Sequence, residues 1–382
     1  MPNNRIHYGI IQAGIAPDAS STYTAIHGLQ QAGITTNFEI TYVKEMGQLQ
    51  VYDAVEELPD VEVSATKILD GYLPIYCLAT QQATAPTLAA RAVPKCSWAM
   101  SIFDESASSA SGNPLSEVIC SGMFVNSVTY TFPVDENFTE EVTLGGNNKV
   151  WMNDSKYSAA PTNFSFAGAF STNSDTPQAV AGTARREQFL YLPTAVFTAD
   201  SNGASRDPDA TVLPAEVHGI STSGVNNLTS GIYGARVQRV SVSTDFNREN
   251  LNELGHRGPY ARTVNFPVDV TTEVEVISYS GDMISATENG IYTTGTGCVR
   301  QNNLRDRTIR IAVCEGLRIY TGKKNKLTSS NMSGSDAEGG NLTTSYSFTT
   351  QNTFTVMHSG EQALGATPSG WWAARATHLG PA

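Results

Sequence analysis

The sequence predicts a mainly β protein built from two tandem, homologous β-sandwich or barrel domains, each with about one short helix, plus a linker or small decoration between them. Three observations carry this prediction. Charged residues are 16 % of the chain, against about 25 % in an ordinary soluble domain. Thr, Ser, Asn and Gln must therefore build most of the polar surface, a mixture that favours strands over solvated helices. Several stretches alternate apolar and polar residues with period two. One such stretch recurs later in the chain at a fixed offset.

The alternating runs are Val61-Glu62-Val63-Ser64, Val125-Asn126-Ser127-Val128-Thr129-Tyr130, Val237 to Ser243, and Asp269 to Val276. Each has one apolar face to turn to a core. The segment 247–255 has the composition of a short helix closed by a C-cap glycine, Gly255, with its counterpart ending at Gly47. A length of 382 residues suits two or three domains at about 100–200 residues each.

The repeat is the main signal. Residues 29–59 lie without gaps over 237–267, with seven identities in 31 positions, where composition alone gives about two. The identities are Gln30/Gln238, Thr36/Thr244, Phe38/Phe246, Glu45/Glu253, Gly47/Gly255, Tyr52/Tyr260 and Pro59/Pro267. Two shorter matches follow in order. Ile119-Cys120-x-Gly122-Met123 answers Val313-Cys314-x-Gly316-Leu317, and Thr129-Tyr130-Thr131-Phe132 answers Ser345-Tyr346-Ser347-Phe348. On this alignment the second copy gains a surface loop after Gly322 that runs to Gly340. The expected organisation is a first domain over 1–155, a Ser/Thr/Asn/Pro-rich segment over 156–231, a second domain over 232–360 and a C-terminal extension over 361–382. Two copies are too few for a solenoid.

Charge and chemistry narrow the function. The formal charge is −12, which opposes a basic phosphate-gripping surface. Residues 1–155 hold 17 acids and 6 bases, net −11, and the rest hold 19 and 18, net −1. The five cysteines, Cys77, Cys96, Cys120, Cys298 and Cys314, have no metal-ligand spacing and read as reduced thiols. No nucleophile elbow, zinc-binding His-Glu-x-x-His or phosphate-binding loop occurs. The six histidines lack ligand-spaced partners. The sequence therefore predicts no catalytic residues, no metal and no cofactor, although an acid pair such as Asp135-Glu136 or Glu140-Glu141 leaves a carbohydrate-active β enzyme open. The Trp371-Trp372 pair must dock back on its own chain or bury against another subunit.

The runs from Phe38 through Tyr52 to Asp70-Gly71, and from Val242 through Phe246 to Tyr260, resemble major tail tube proteins of tailed bacteriophages. The resemblance implies a β-sandwich or barrel with a flanking helix, six such domains forming a ring around a β-lined channel, and rings stacking into a tube that guides double-stranded DNA. Two fused domains then imply a trimer with pseudo-sixfold symmetry, in a virion assembled in the host bacterial cytoplasm. Tape measure, tail-tip and terminator proteins are the implied partners. The implied interface residues are Glu45, Gly47, Tyr52, Pro59, Glu253, Gly255, Tyr260 and Pro267, at loops joining inner strands; Trp371 and Trp372, outside the resemblance, are interface candidates by residue type. A baseplate, terminator or adhesin component is the alternative.

Overall fold

The computed structural model describes residues 6–18, 22–103, 114–153, 165–166, 183–186, 189–190, 236–256, 258–277, 309–313, 316–334 and 342–358. Most of 156–231 and all of 361–382, with Trp371 and Trp372, lie outside them, as do Cys298 and Cys314. The chain is mainly β, with antiparallel sheets. Its first part runs β1 (Ile11–Pro17), β2 (Thr22–Ala25), β3 (Leu29–Asn37), β4 (Ile40–Lys44), β5 (Val51–Glu56), β6 (Asp60–Ile68), α1 (Ile75–Ala79), α2 (Leu88–Arg91), β7 (Cys96–Ile102), β8 (Ser116–Pro133), β9 (Thr139–Gly146) and β10 (Asn148–Asn153). Two short strands, β11 (Ser165–Phe166) and β12 (Phe189–Leu190), lead to β13 (Arg236–Asp245), β14 (Arg248–Leu251), β15 (Ala261–Val264) and β16 (Asp269–Ile277). The last strands are β17 (Arg310–Val313), β18 (Leu317–Tyr320), β19 (Lys326–Ser333), β20 (Thr343–Gln351) and β21 (Thr355–His358).

One large sheet holds two units of four strands each, in the order β3-β6-β9-β8 and β13-β16-β20-β19. Their registers coincide. Ile34 faces Val63 as Val242 faces Thr272, Val63 faces Leu144 as Thr272 faces Phe348, and Val128 faces Val142 as Ser330 faces Tyr346. The irregularities recur too. A bulge interrupts β3 between Leu29 and Gln31 and β13 between Val237 and Arg239, so Gln30 and Gln238 hold the same bulged place. A second bulge sits between Val125 and Ser127 in β8 and between Leu327 and Ser329 in β19. Bulges bend a strand and raise its twist, so sharing them means sharing curvature.

This register corrects the two shorter sequence matches. Tyr346 and Phe348 are the counterparts of Val142 and Leu144, not of Tyr130 and Phe132. Gly122 lies inside the unbroken β8, whereas Gly316 turns the β17–β18 hairpin of another sheet, its N–H bonding Val313 O at 3.1 Å. The expected loop after Gly322 is also overturned between Lys326 and Ser333, which pair along β20 as strand β19.

Each unit buries one sheet face, and a single hydrophobic cluster spans both. It is covered by α1, whose five residues are all buried, and by the small sheet β12-β17-β18-β21. Helix α1 begins after Pro74, which has no side chain able to cap the free N–H groups. Glu140, reaching across from β9, supplies the cap: its carboxylate accepts from Ile75 N at 2.5 Å, Tyr76 N at 3.0 Å and the Tyr130 hydroxyl at 2.7 Å. Burial pushes the Glu140 carboxyl above its usual range, against the pull of these donors and of Lys67 opposite it. Lys67, itself fully buried, donates to His27 O at 2.5 Å and to Asp70 Oδ1 at 2.7 Å.

The helix expected over 247–255 is a hairpin instead. Arg248–Leu251 pairs with Ala261–Val264, and its counterpart Ile40–Lys44 pairs with Val51–Glu56 in the same register. Asn247 at φ 41° breaks the chain out of β13, and Gly255 at φ 92° turns the tip, as Gly47 does at φ 101°. Both hairpins leave their sheet at the same point, after β13 and after β3, and form two arms.

Candidate assembly interface

The two units meet edge to edge within the chain. β8, the last strand of the first unit, pairs antiparallel with β13, the first strand of the second, from Arg239↔Pro133 to Asp245↔Ser127. Val240 with Phe132, Val242 with Tyr130 and Thr244 with Val128 form its buried rungs. Beyond the last rung Phe246 N donates to Asn126 O at 2.8 Å, and the fully buried Phe246 ring lies 6.3 Å from Tyr76.

The counterpart edges are open. Among the described residues β3 pairs only with β6, and β19 only with β20. Ile34 on β3 corresponds to Val242, and Met332 on β19 to Tyr130. Met332 is 62 % exposed, and Phe38, the counterpart of the buried Phe246, is 70 % exposed. An open strand edge beside exposed apolar side chains is a template for pairing with another chain.

The arms differ in how they are held. β14–β15 leans on the first unit through two arginines. Arg248 donates to Val125 O at 2.8 Å and to Ala92 O at 2.7 Å, with its guanidinium 4.7 Å above the Phe124 ring. Burial draws its pKa down to about 10, which leaves it charged at neutral pH. Arg262 bridges Asp60 Oδ1 at 2.9 Å and Asn147 Oδ1 at 2.6 Å. A cleft of about 700 Å³ remains under this arm, lined by Gly122, Phe124, Asn147, Tyr260 and Phe266 among others. The first arm has Ile40 and Ala54 in place of the arginines and is exposed along both strands.

The interface residues expected from the sequence fall on these arms. Glu45 and Gly47 sit at the first tip, where Gln48 Nε2 donates to Glu45 Oε2 at 3.0 Å. Glu253 and Gly255 sit at the second, where His256 Nε2 lies 3.6 Å from Glu253 Oε1. Tyr52 is exposed on the returning strand of the first arm and Tyr260 just before that of the second, and Pro59 and Pro267 stand where the chain re-enters the sheet. The sequence reading did not single out Arg248, Arg262, Ile34 or Met332, and it left Phe38 out of the site although the repeat contained it. Contrast within the repeat is the signal that finds the two arginines: Arg248 against Ile40 and Arg262 against Ala54.

The other face of the two units is polar. Glu62, Ser64 and Thr66 on β6, Glu141 and Thr143 on β9, Thr129 and Thr131 on β8, and Glu273 and Glu275 on β16 alternate with the buried residues. Asp60, Asp245 and Asp269 extend the acidic character to the arm end, and bases on this face include Arg239 and Lys326. Among the described residues, no group of His, Cys, Asp and Glu is arranged to hold a metal ion. No described helix is long and apolar enough to cross a membrane.

No family model matches the chain, and no curated protein does. Solved structures are similar to part of it, three of them as follows. The anti-feeding prophage cap (tube terminating cap) matches at TM-score 0.30 and 11 % identity, over 40 % of this chain and 94 % of its own. A chain of the anti-feeding prophage baseplate matches at 0.31 and 8 %, over 40 % and 97 %. A chain of the sheath-tube complex of an extracellular contractile injection system, PVC, in its extended state matches at 0.29 and 10 %, over 40 % and 94 %.

Proposed function

We propose that this chain is a structural subunit of a phage tail tube. β19 of one copy pairs with β3 of the next, closing a ring, and rings stack into a channel for double-stranded DNA. The observation that carries this reading is the β8·β13 junction. It joins two units of identical register head to tail, and the chain then ends each side on the counterparts of the same two edges. A heterologous contact of this kind generates a ring when the rotation closes. Two tube domains, about 1–155 and 232–360, make a trimer with pseudo-sixfold symmetry. The 156–231 segment is a linker or small decoration between them, and 361–382 is a C-terminal extension.

The polar face lines the channel in this reading. Its Ser and Thr hydroxyls offer no fixed positive charge, and its carboxylates repel phosphate, so DNA passes without the counterion-release binding that a basic wall produces. The arms at one rim meet the next ring, and the tube ends engage tape measure, tail-tip and terminator proteins. Electron microscopy of the purified protein over a range of concentrations tests the reading. The expected result is hollow rings of three subunits with sixfold-like inner density, stacking as concentration rises. Closed particles that never stack would favour a baseplate or terminator role, and a monomer at every concentration would overturn self-assembly.

A further inference from the structure

We propose that the first arm, β4–β5, docks on a second copy of this chain across the Asp269–Gln351 corner of its second unit. The pose is the one that the second arm takes on the Asp60–Asn147 corner within the chain. This rests on the ring closure proposed above and names the surface that receives the arm.

The two corners are built alike. In the first unit Asn147 Nδ2 donates to Asp60 Oδ1 at 3.0 Å, and Arg262 of the second arm binds both side chains. In the second unit Gln351 Nε2 donates to Asp269 Oδ1 at the same 3.0 Å, with both side chains exposed. The surroundings correspond position for position but carry larger side chains, Gln50 for Gly258 and Phe266 for Leu58. Gly258 of the second arm lies so close to Leu58 that a Cβ there would stand 2.9 Å from Leu58 Cδ1. The counterpart of Leu58 is Phe266, which is 52 % exposed. Phe38 at the root of the first arm and Ile40 and Tyr42 along it are exposed in the same way. Each half of the contact is therefore present, on surfaces that the chain itself does not bring together.

The contact between copies differs in charge as well. With Ile40 and Ala54 in place of Arg248 and Arg262, the docking face of the first arm carries no guanidinium for the Asp269 carboxylate, and the charge on it is the Glu56 carboxylate opposite Ile40. Association then draws on apolar burial, which excluded salts strengthen, rather than on ion pairs, which salt screens.

The test is the variant Ala54→Arg, compared with wild type by light scattering and electron microscopy as concentration rises. An arginine there reaches the Asp269–Gln351 corner of the next copy, and a hydrogen bond to a charged partner lowers the concentration at which particles form by about tenfold. Adding Asp269→Ala removes that gain. An onset unchanged by Ala54→Arg, or lowered equally with Asp269→Ala present, would overturn the pose while wild-type rings still uphold ring closure. A wild type that forms no particles would overturn both.

Discussion

Inside the chain β13 lies against β8 with Phe246 sealed beneath it, while at the ends β3 and β19 present the same edges with Phe38 and Met332 in water. The two situations use one register and one pair of bulges, so backbone geometry does not separate them. What separates them is the side-chain filling. The internal junction has Tyr130, Phe132 and two arginine anchors, and the open edges have Met332, Ile34, Ile40 and Ala54. A permanent junction inside one chain carries its own charged clamps. The open edges lack those clamps, and β19 is built largely of Ser, Thr and Asn, which limits wrong pairings in the free subunit.

Substitutions at matched positions break this comparison most sharply. Met332→Asp places a charge where the counterpart Tyr130 is buried, so ring formation is lost: the onset concentration rises at least about a hundredfold, because burying an unpaired charge is costly. The monomer keeps its denaturation midpoint, since Met332 is exposed in it. Phe246→Ala costs about 3–5 kcal/mol of monomer stability by urea denaturation. Phe38→Ala, the same change at the open edge, stays within about 0.5 kcal/mol and shows its cost only in assembly.

Effects away from the edges are smaller. Glu140→Gln replaces one of the two oxygens that cap α1 with an amide donor facing donors, which costs about 1–3 kcal/mol. The counterpart Thr344→Ala changes stability less, because no helix rests on it among the described residues. Burial pushes the Cys96 thiol up to about 12 and Cys120 to about 11. Neither forms thiolate at mildly alkaline pH, so an alkylating reagent followed by peptide mass mapping labels them only after denaturation.

The alternating strands were legible because period-two patterning is written in single residues, as in Val61 to Ser64 and Asp269 to Val276. The first repeat block was legible because turns demand particular residues: Gly47 and Gly255 hold positive φ, and Gln30 and Gln238 hold a bulge. Beyond it the repeat persists in register but not in identity. Leu144 answers Phe348 and Val128 answers Ser330, pairs that need only share a face. Chance matches such as Tyr130 with Tyr346 therefore outscored the true counterparts. The arms were misread as helices because Asn, Arg, Glu and Leu over 248–254 suit a helix locally. Cross-strand pairing with Ala261–Val264 and the anchorage of Arg248 and Arg262 decide otherwise. Strand β19 was hidden because an edge strand of Ser, Thr and Asn has the composition of a loop.

Cross-linking across the proposed joint tests the central claim most directly. Ser243 and Thr129 stand opposite each other in the internal junction, and their counterparts at the ends are Thr35 and Asn331. In the double variant Thr35→Cys with Asn331→Cys, mild oxidation of assembled particles yields covalent dimers and a closed trimer on a non-reducing gel. Neither single variant does so. Particles that form yet leave the double variant monomeric under oxidation would contradict the pairing of β19 with β3.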